Sequence, residues 1–280
     1  MSKMKVYENE TFSYDRSFSN QSDVNIKNCL FDGGEEAENA FLGSGRLIIE
    51  SSSFDQYSPF WNVHKLKIEK AEFTKSASRA LWYSDHINIT ETSILGDKAL
   101  RECSYIEIKK CDIKSDEFGW FSKFVNINDS EVEGGYFMLK AENMAFRKAS
   151  FRGNSPFQYI KNATFENCKF EAGDSFWHGE NVLIKDSEID GDCFGWYSDR
   201  LLLINCKIRG SRALCYCKNL RILNCDMEGV TNAFEGSEVE AELSGGIGSI
   251  INPAEGAIKA SNIGEVVMDS DNPRFRIIEG

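Results

Sequence analysis

The sequence predicts an all-β chain: a parallel β-helix, a solenoid of about twelve rungs of 19–23 residues with three short strands in each. Three observations carry this prediction. Apolar residues return every 19 positions from Ile87 through Ile106, Val125, Met144, Ala163, Val182, Leu201 and Leu220, and a fixed period of this length marks a repeat array. Inside each repeat the apolar residues come as pairs separated by one residue, which is strand alternation. The pairs are parted by columns of asparagine and glycine, residues that serve turns.

Residues 1–23 precede the first repeat and read as an N-terminal cap. Phe12, Tyr14 and Phe18 suit a cap, because a terminal rung otherwise exposes apolar side chains and open strand edges. Regular rungs follow over 24–238: Val24, Ile26, Cys29 and Phe31 form the first; Leu47, Ile49, Ser52 and Phe54 the second; Leu66, Ile68, Ala71 and Phe73 the third. From Ile87 the period holds without slipping. Residues 239–280 read as irregular last rungs and a C-terminal cap, with Ile258 and Ile277 continuing the first apolar column. The unbroken repeat predicts a single domain over 1–280.

Each rung has the same internal plan. A first pair, such as Ile106 and Ile108, is followed by a bend and by a column of small residues: Thr92, Cys111, Ser130, Ala149, Cys168, Ser187, Cys206 and Cys225. Asn28, Asn167, Asn205 and Asn224 share the bend, where asparagine tolerates left-handed backbone and could bond along a ladder. Gly96, Gly134, Gly153, Gly191, Gly210 and Gly229 mark a second turn and are read as positions of positive φ.

The third segment is rich in rings, as in Phe118–Ser122 and Phe194–Ser198. One column contains Trp82, Trp120, Trp177 and Trp196; the next contains Tyr83, Glu102, Phe121, Lys140, Tyr159, His178, Tyr197 and Tyr216. Adjacent strand residues face opposite ways, so a strand cannot bury both columns. The second column carries the charges and is read as outward, together with Leu81, Leu100, Met138, Phe157, Phe176 and Leu214, with Trp177 inward. A one-residue slip of register would expose the tryptophans instead. An aromatic strip on one face marks an interaction surface. The candidate ligand-binding residues are Tyr83, Glu102, Trp120, Phe121, Lys140, Tyr159, Trp177, His178, Tyr197 and Tyr216. Two partners suit such a strip: a carbohydrate polymer stacked on the rings and either bound there or processed in the manner of a polysaccharide lyase or hydrolase, or a protein surface, including a second copy of the chain in a homodimer.

With 44 acidic and 32 basic residues the net charge is −12, which excludes nucleic acid and anionic membrane as partners of the surface as a whole. No run of about 18 apolar residues occurs, so no membrane span is expected. The nine cysteines are odd in number, and several share the small-residue column, which suits buried thiols in a reducing, cytoplasmic setting rather than a disulfide framework. Catalytic motifs are not found. Asp116-Glu117, and Asp190 with Asp192, fall at turns where aspartate is ordinary. Cys215 and Cys217 share a strand face but lack further metal ligands, and His64, His86 and His178 stand singly, so no cofactor or metal is expected.

Rungs of the form Ile-x-Ile-x-Asn-Cys-x-Ile, followed by glycine and then Phe-Trp-Tyr-Ser, resemble an uncharacterised bacterial family of short-rung β-helix proteins, grouped with the pectin-lyase-like fold. The resemblance covers most of the chain and implies a right-handed solenoid, in keeping with strand twist. It implies no activity. The wider fold group implies carbohydrate substrates by analogy alone, and the Asn-Thr-Asp, Asp-Asp and Gly-His-Gly segments of polygalacturonase-like hydrolases are absent from the sequence.

Overall fold

The computed structural model describes residues 4–279, and every regular element among them is a strand. The chain forms a parallel β-solenoid of about 14 turns. It comprises two compact units, Met1–Glu142 and Asn143–Gly280, each built on the same plan. The turn beyond those expected at the N-terminus lies in the segment read as a cap. Lys5–Glu8 pairs in parallel with Ser22–Lys27, and Thr11–Phe12 with Leu30–Glu38. Phe12 and Phe18 are buried there, whereas Tyr14 is exposed.

In the first unit the repeat columns become strand register. Ile87 is level with Leu66 on one side and Ile106 on the other, and Ile106 with Val125. The second apolar pair builds another parallel sheet, in which Phe54, Phe73, Ile94, Ile113 and Val132 follow one another. The second unit repeats this with Ala163, Val182 and Leu201 in one sheet and Phe151, Phe170, Ile189 and Ile208 in the other. Regularity loosens at Leu220–Thr231 and Glu238–Ile251, long strands whose mutual register shifts around Cys225.

Equal residues on successive turns bring equal side chains into contact. Phe12, Phe31, Phe54 and Phe73 form one buried stack, with ring centroids 5.1, 4.8 and 4.9 Å apart. Phe18, Phe41 and Phe60 form another, at 5.2 and 4.9 Å. In the second unit Phe146 stacks on Phe165 at 4.7 Å and Phe157 on Phe176 at 4.9 Å. A fully buried Phe contributes about 1.5–3 kcal/mol by removal from water alone, so these columns carry much of the core's stability.

The third segment differs from the expected strand. Short strands occur there only at Phe60–Trp61 and Leu81–Trp82. Elsewhere it is a turn in which alternate residues have positive φ: Lys98 at 61°, Leu100 at 58° and Glu102 at 53°. The same columns recur at Tyr136, Met138 and Lys140, and at Arg212, Leu214 and Tyr216. This backbone buries two consecutive side chains, Ala99 and Leu100, which strand alternation forbids. Leu100, Met138, Phe157, Phe176 and Leu214, expected outside, are therefore core residues no more than 1% exposed, and Leu81, also expected outside, is buried within its short strand.

Left-handed backbone at a non-glycine residue costs roughly 1–2 kcal/mol. Two gains offset it. Side chains such as Leu100 and Phe157 are fully buried. The turns also bond to one another: Lys98 and Glu102 donate N–H to Asp116 and Trp120 of the following turn, while Arg101 donates back to Leu81.

Small polar residues serve the corners. In the expected column, Ser130 Oγ accepts from Cys111 N–H at 3.0 Å and Ser187 Oγ accepts from Cys168 N–H at 3.0 Å. A second such column lies just past the turn face, where Ser122 and Ser237 accept from Cys103 and Cys217 N–H. All nine cysteines are free, and all but Cys193 are buried.

The bend asparagines are left-handed as expected, Asn167 at 54° and Asn205 at 53°. Asn224 donates to Asn205 and Asn205 to Asp186, a ladder of side-chain amides that ends on a carboxylate. In the glycine column Gly134, Gly153 and Gly210 have the expected positive φ, at 156°, 143° and 123°, whereas Gly96, Gly191 and Gly229 do not. At Gly191 a Cβ would lie 2.2 Å from the Ala172 carbonyl oxygen of the preceding turn.

Candidate functional site

Aromatic residues line the turn face of each unit. In the first unit Tyr83 is 41% exposed, with its ring 5.2 Å from Trp61. Glu102 and Lys140 are exposed and Phe121 half-buried. Arg101 lies between the rings of Trp82 and Trp120, its guanidinium carbon 5.2 and 5.4 Å from their centroids, and pairs with Glu102 at 3.7 Å. In the second unit Tyr159, His178, Tyr197 and Tyr216 stand in single file, with centroids 4.6, 5.0 and 5.0 Å apart and planes within 13° of parallel.

The tryptophans take a place that neither strand register foresaw. Trp177 is half-buried rather than in the core, and stacks on Trp196 at 5.3 Å and 7°. Each indole reaches along the turn to a backbone carbonyl of the next rung. Trp82 Nε1 donates to Lys98, Trp120 to Tyr136, Trp177 to Cys193 and Trp196 to Arg212, at 2.6, 2.5, 2.9 and 2.5 Å. These bonds satisfy carbonyls at the corner between the glycine turn and the aromatic turn. The tyrosine and histidine column is the more exposed of the two, with Trp82 buried and Trp120, Trp177 and Trp196 half-buried beside it.

The stacking determines what the strip offers. His178 is faced by Tyr159 on one side and Tyr197 on the other, so its ring faces are occupied. What solvent meets is a row of ring edges, one per turn: a phenol, one imidazole and two further phenols. At one end Arg212 lies over Trp196 at 4.7 Å and pairs with Glu235 at 3.5 Å. A hydrogen bond to the Glu235 carboxylate pushes the Tyr216 hydroxyl up to about 12, so Tyr216 stays a donor across the neutral range.

The turn carboxylates have structural partners. Asp116 accepts from Gly135 N–H at 2.6 Å. Asp192 accepts from both N–H and Oγ of Ser211, which hold it below its usual carboxylate range. The Cys215 and Cys217 thiols donate to backbone carbonyls of Arg212 and Gly195.

A grouping that sequence reasoning missed is His64, Asp85 and His86. Its signal is register. The rung from Leu66 to Ile87 is 21 residues long, which sets Asp85 level with His64 and leaves His86 beside both.

The family model for a protein of unknown function (DUF3737) matches residues 5–276. No curated protein matches the chain in sequence. Among solved structures, the chain is similar to the catalytic unit of a GH87 α-1,3-glucanase from Streptomyces thermodiastaticus, at 10% identity and a TM-score of 0.34, covering 98% of this chain and 62% of that one. It is similar also to PfbA, a surface adhesin of Streptococcus pneumoniae, at 8% identity and a TM-score of 0.35, covering 99% of this chain and 81% of that one. The periplasmic alginate epimerase AlgG is similar at 9% identity and a TM-score of 0.21, over 93% of this chain and 69% of that one. The chain thus spans about three-fifths of the first of these, and likeness at such identities and scores carries no activity across. With nearly its whole length matched by one family model, the chain belongs to the DUF3737 family of unknown function.

Proposed function

We propose that the protein is a carbohydrate-binding scaffold that takes a neutral polysaccharide along its turn face. The observation that supports this reading is the file of Tyr159, His178, Tyr197 and Tyr216, with ring planes within 13° of parallel and edges open to solvent. A regular row of hydroxyl and imidazole groups suits an extended chain of sugars, whose own hydroxyls repeat with each residue. Recognition would run through hydrogen bonds to ring edges, because the ring faces are already covered by one another. The net charge of −12 favours a neutral polymer over a polyuronate. The free, buried thiols support a reducing compartment such as the cytoplasm.

The test is affinity electrophoresis of the full chain through gels containing neutral glucans or polyuronates, with Tyr197→Phe and His178→Ala as variants. Retardation by a neutral glucan, weakened several-fold by Tyr197→Phe, is the expected result, since that change keeps the stack and removes one hydroxyl. Unretarded migration in every polymer would sink the reading. A second copy of the chain is the other occupant that tyrosine-rich edges fit. A dimer in analytical ultracentrifugation that Tyr197→Asp dissociates would assign the strip to self-association instead.

A further inference from the structure

We propose that His64, Asp85 and His86 bind one divalent transition-metal ion, independently of the turn face. Solenoid register brings them together. Asp85 is the strand partner of His64 on the neighbouring turn. His86 follows Asp85 with a positive φ of 52°, which turns its side chain back toward the pair. Both imidazole Nδ1 atoms lie 2.5 Å from the same oxygen, Oδ1 of Asp85. One ligand atom from each of the three residues lies within 4.8 Å of the others.

In the metal-free chain a single carboxylate oxygen accepts from both imidazole N–H groups. A cation placed among the three takes the place of those two protons and bonds each nitrogen directly. Two imidazoles and a carboxylate form a nitrogen-rich donor set that suits Zn²⁺, Ni²⁺ or Cu²⁺, whereas Mg²⁺ and Ca²⁺ prefer oxygen alone. The side chains are 54%, 36% and 52% exposed, for His64, Asp85 and His86. They can therefore rotate to bonds of about 2.0–2.2 Å, and water can fill the remaining positions.

The surroundings favour this arrangement. The His86 ring is stacked on Tyr105 at 4.8 Å and 23°, which holds its plane, and Tyr105 is in turn stacked on Phe124 at 4.9 Å. His86 borders a groove that includes Arg46, Lys65 and Lys67. Two of these cations are already paired, Arg46 with Asp23 at 2.6 Å and Lys67 with Glu69 at 3.0 Å, so their repulsion of an incoming ion is reduced.

The test titrates Zn²⁺, and Co²⁺ as a spectroscopic probe, into the reduced full-length chain. The expected result is one ion per chain and a Co²⁺ spectrum of weak visible bands without intense thiolate charge transfer. His64→Gln, His86→Gln and Asp85→Asn should each weaken binding by about tenfold or more. All three positions are on the surface, and an unchanged circular dichroism spectrum shows that each variant is folded. Zn²⁺ affinity equal to wild type in the folded His64→Gln/His86→Gln double variant would overturn the assignment. A thiolate-dominated Co²⁺ spectrum, placing the ion on cysteine, would also overturn it, as would no Zn²⁺ uptake.

Discussion

Raising the pH from about 8 to about 10 should remove roughly 3 kcal/mol of folding stability through Cys103 and Cys217 alone. Both thiols are buried at the corner that follows the turn face, donating to the backbone carbonyls of Leu81 at 3.3 Å and Gly195 at 3.1 Å. Burial pushes each from 9.0 up to about 12. The folded chain thus holds these protons to higher pH than the unfolded chain does. Below pH 9 both states are protonated and nothing is lost. Above it the unfolded chain ionises first, and stability falls until the folded thiols ionise near 12. One pH unit above the unfolded value corresponds to about 1.4 kcal/mol per thiol, hence roughly 3 kcal/mol for the two at about pH 10.

The assay is urea unfolding under reducing conditions at both pH values, for wild type and for Cys103→Ser/Cys217→Ser. Serine already occupies this column at Ser122 and Ser198, whose hydroxyls donate to the equivalent carbonyls of Leu100 and Phe176. The double variant should therefore match wild type closely at the lower pH and exceed it by roughly 3 kcal/mol at the higher. The remaining thiols and the tyrosines titrate in both proteins and cancel in the difference. An equal loss in both proteins would refute the reasoning.

Other perturbations have separate readouts. Phe165→Ala, which opens a cavity between stacked rings, should cost about 3–5 kcal/mol in urea unfolding. Gly191→Ala drives a Cβ to 2.2 Å from the Ala172 carbonyl oxygen and should cost at least about 1–3 kcal/mol, whereas Gly245→Ala enters open space and should stay within about 0.5 kcal/mol. Trp177→Phe keeps a ring against Trp196 but loses the bond to the Cys193 carbonyl, a loss of about 1 kcal/mol measurable by thermal unfolding. Lys148→Asn places asparagine at a bend with a φ of 50°, in the column of Asn167, and should raise the urea midpoint by an amount equivalent to about 0.5–1 kcal/mol.

The strand columns were legible because Ile106, Ile108 and Ile113 obey a period of two, a property of residue type alone. The third segment was not. Leu100, Met138 and Phe157 have left-handed φ values of 58–60°, and nothing in a leucine, methionine or phenylalanine announces that conformation. Only the stacking of turn on turn enforces it, so alternation applied there placed six core side chains outside. The outward position of Tyr159, His178 and Tyr197 was legible from the charges in their column. Their mutual stacking was not, because it depends on side-chain rotation. The His64, Asp85 and His86 cluster was hidden by the 21-residue rung, which shifts its members off the common period.

The corner and amide ladders give the gene a natural unit of length. In the regular turns many side-chain bonds join residues 19 apart, such as Cys168 with Ser187 and Asn181 with Asn162. Excising 163–181 would join Asn162 to Val182 and leave every column continuous, because each lost residue has its counterpart one turn on. Excising one residue fewer would set left-handed corners against strand residues and aim apolar side chains at water. Duplication or loss of coding sequence is thus tolerated in steps of a whole turn, so the chain can lengthen without redesigning any corner.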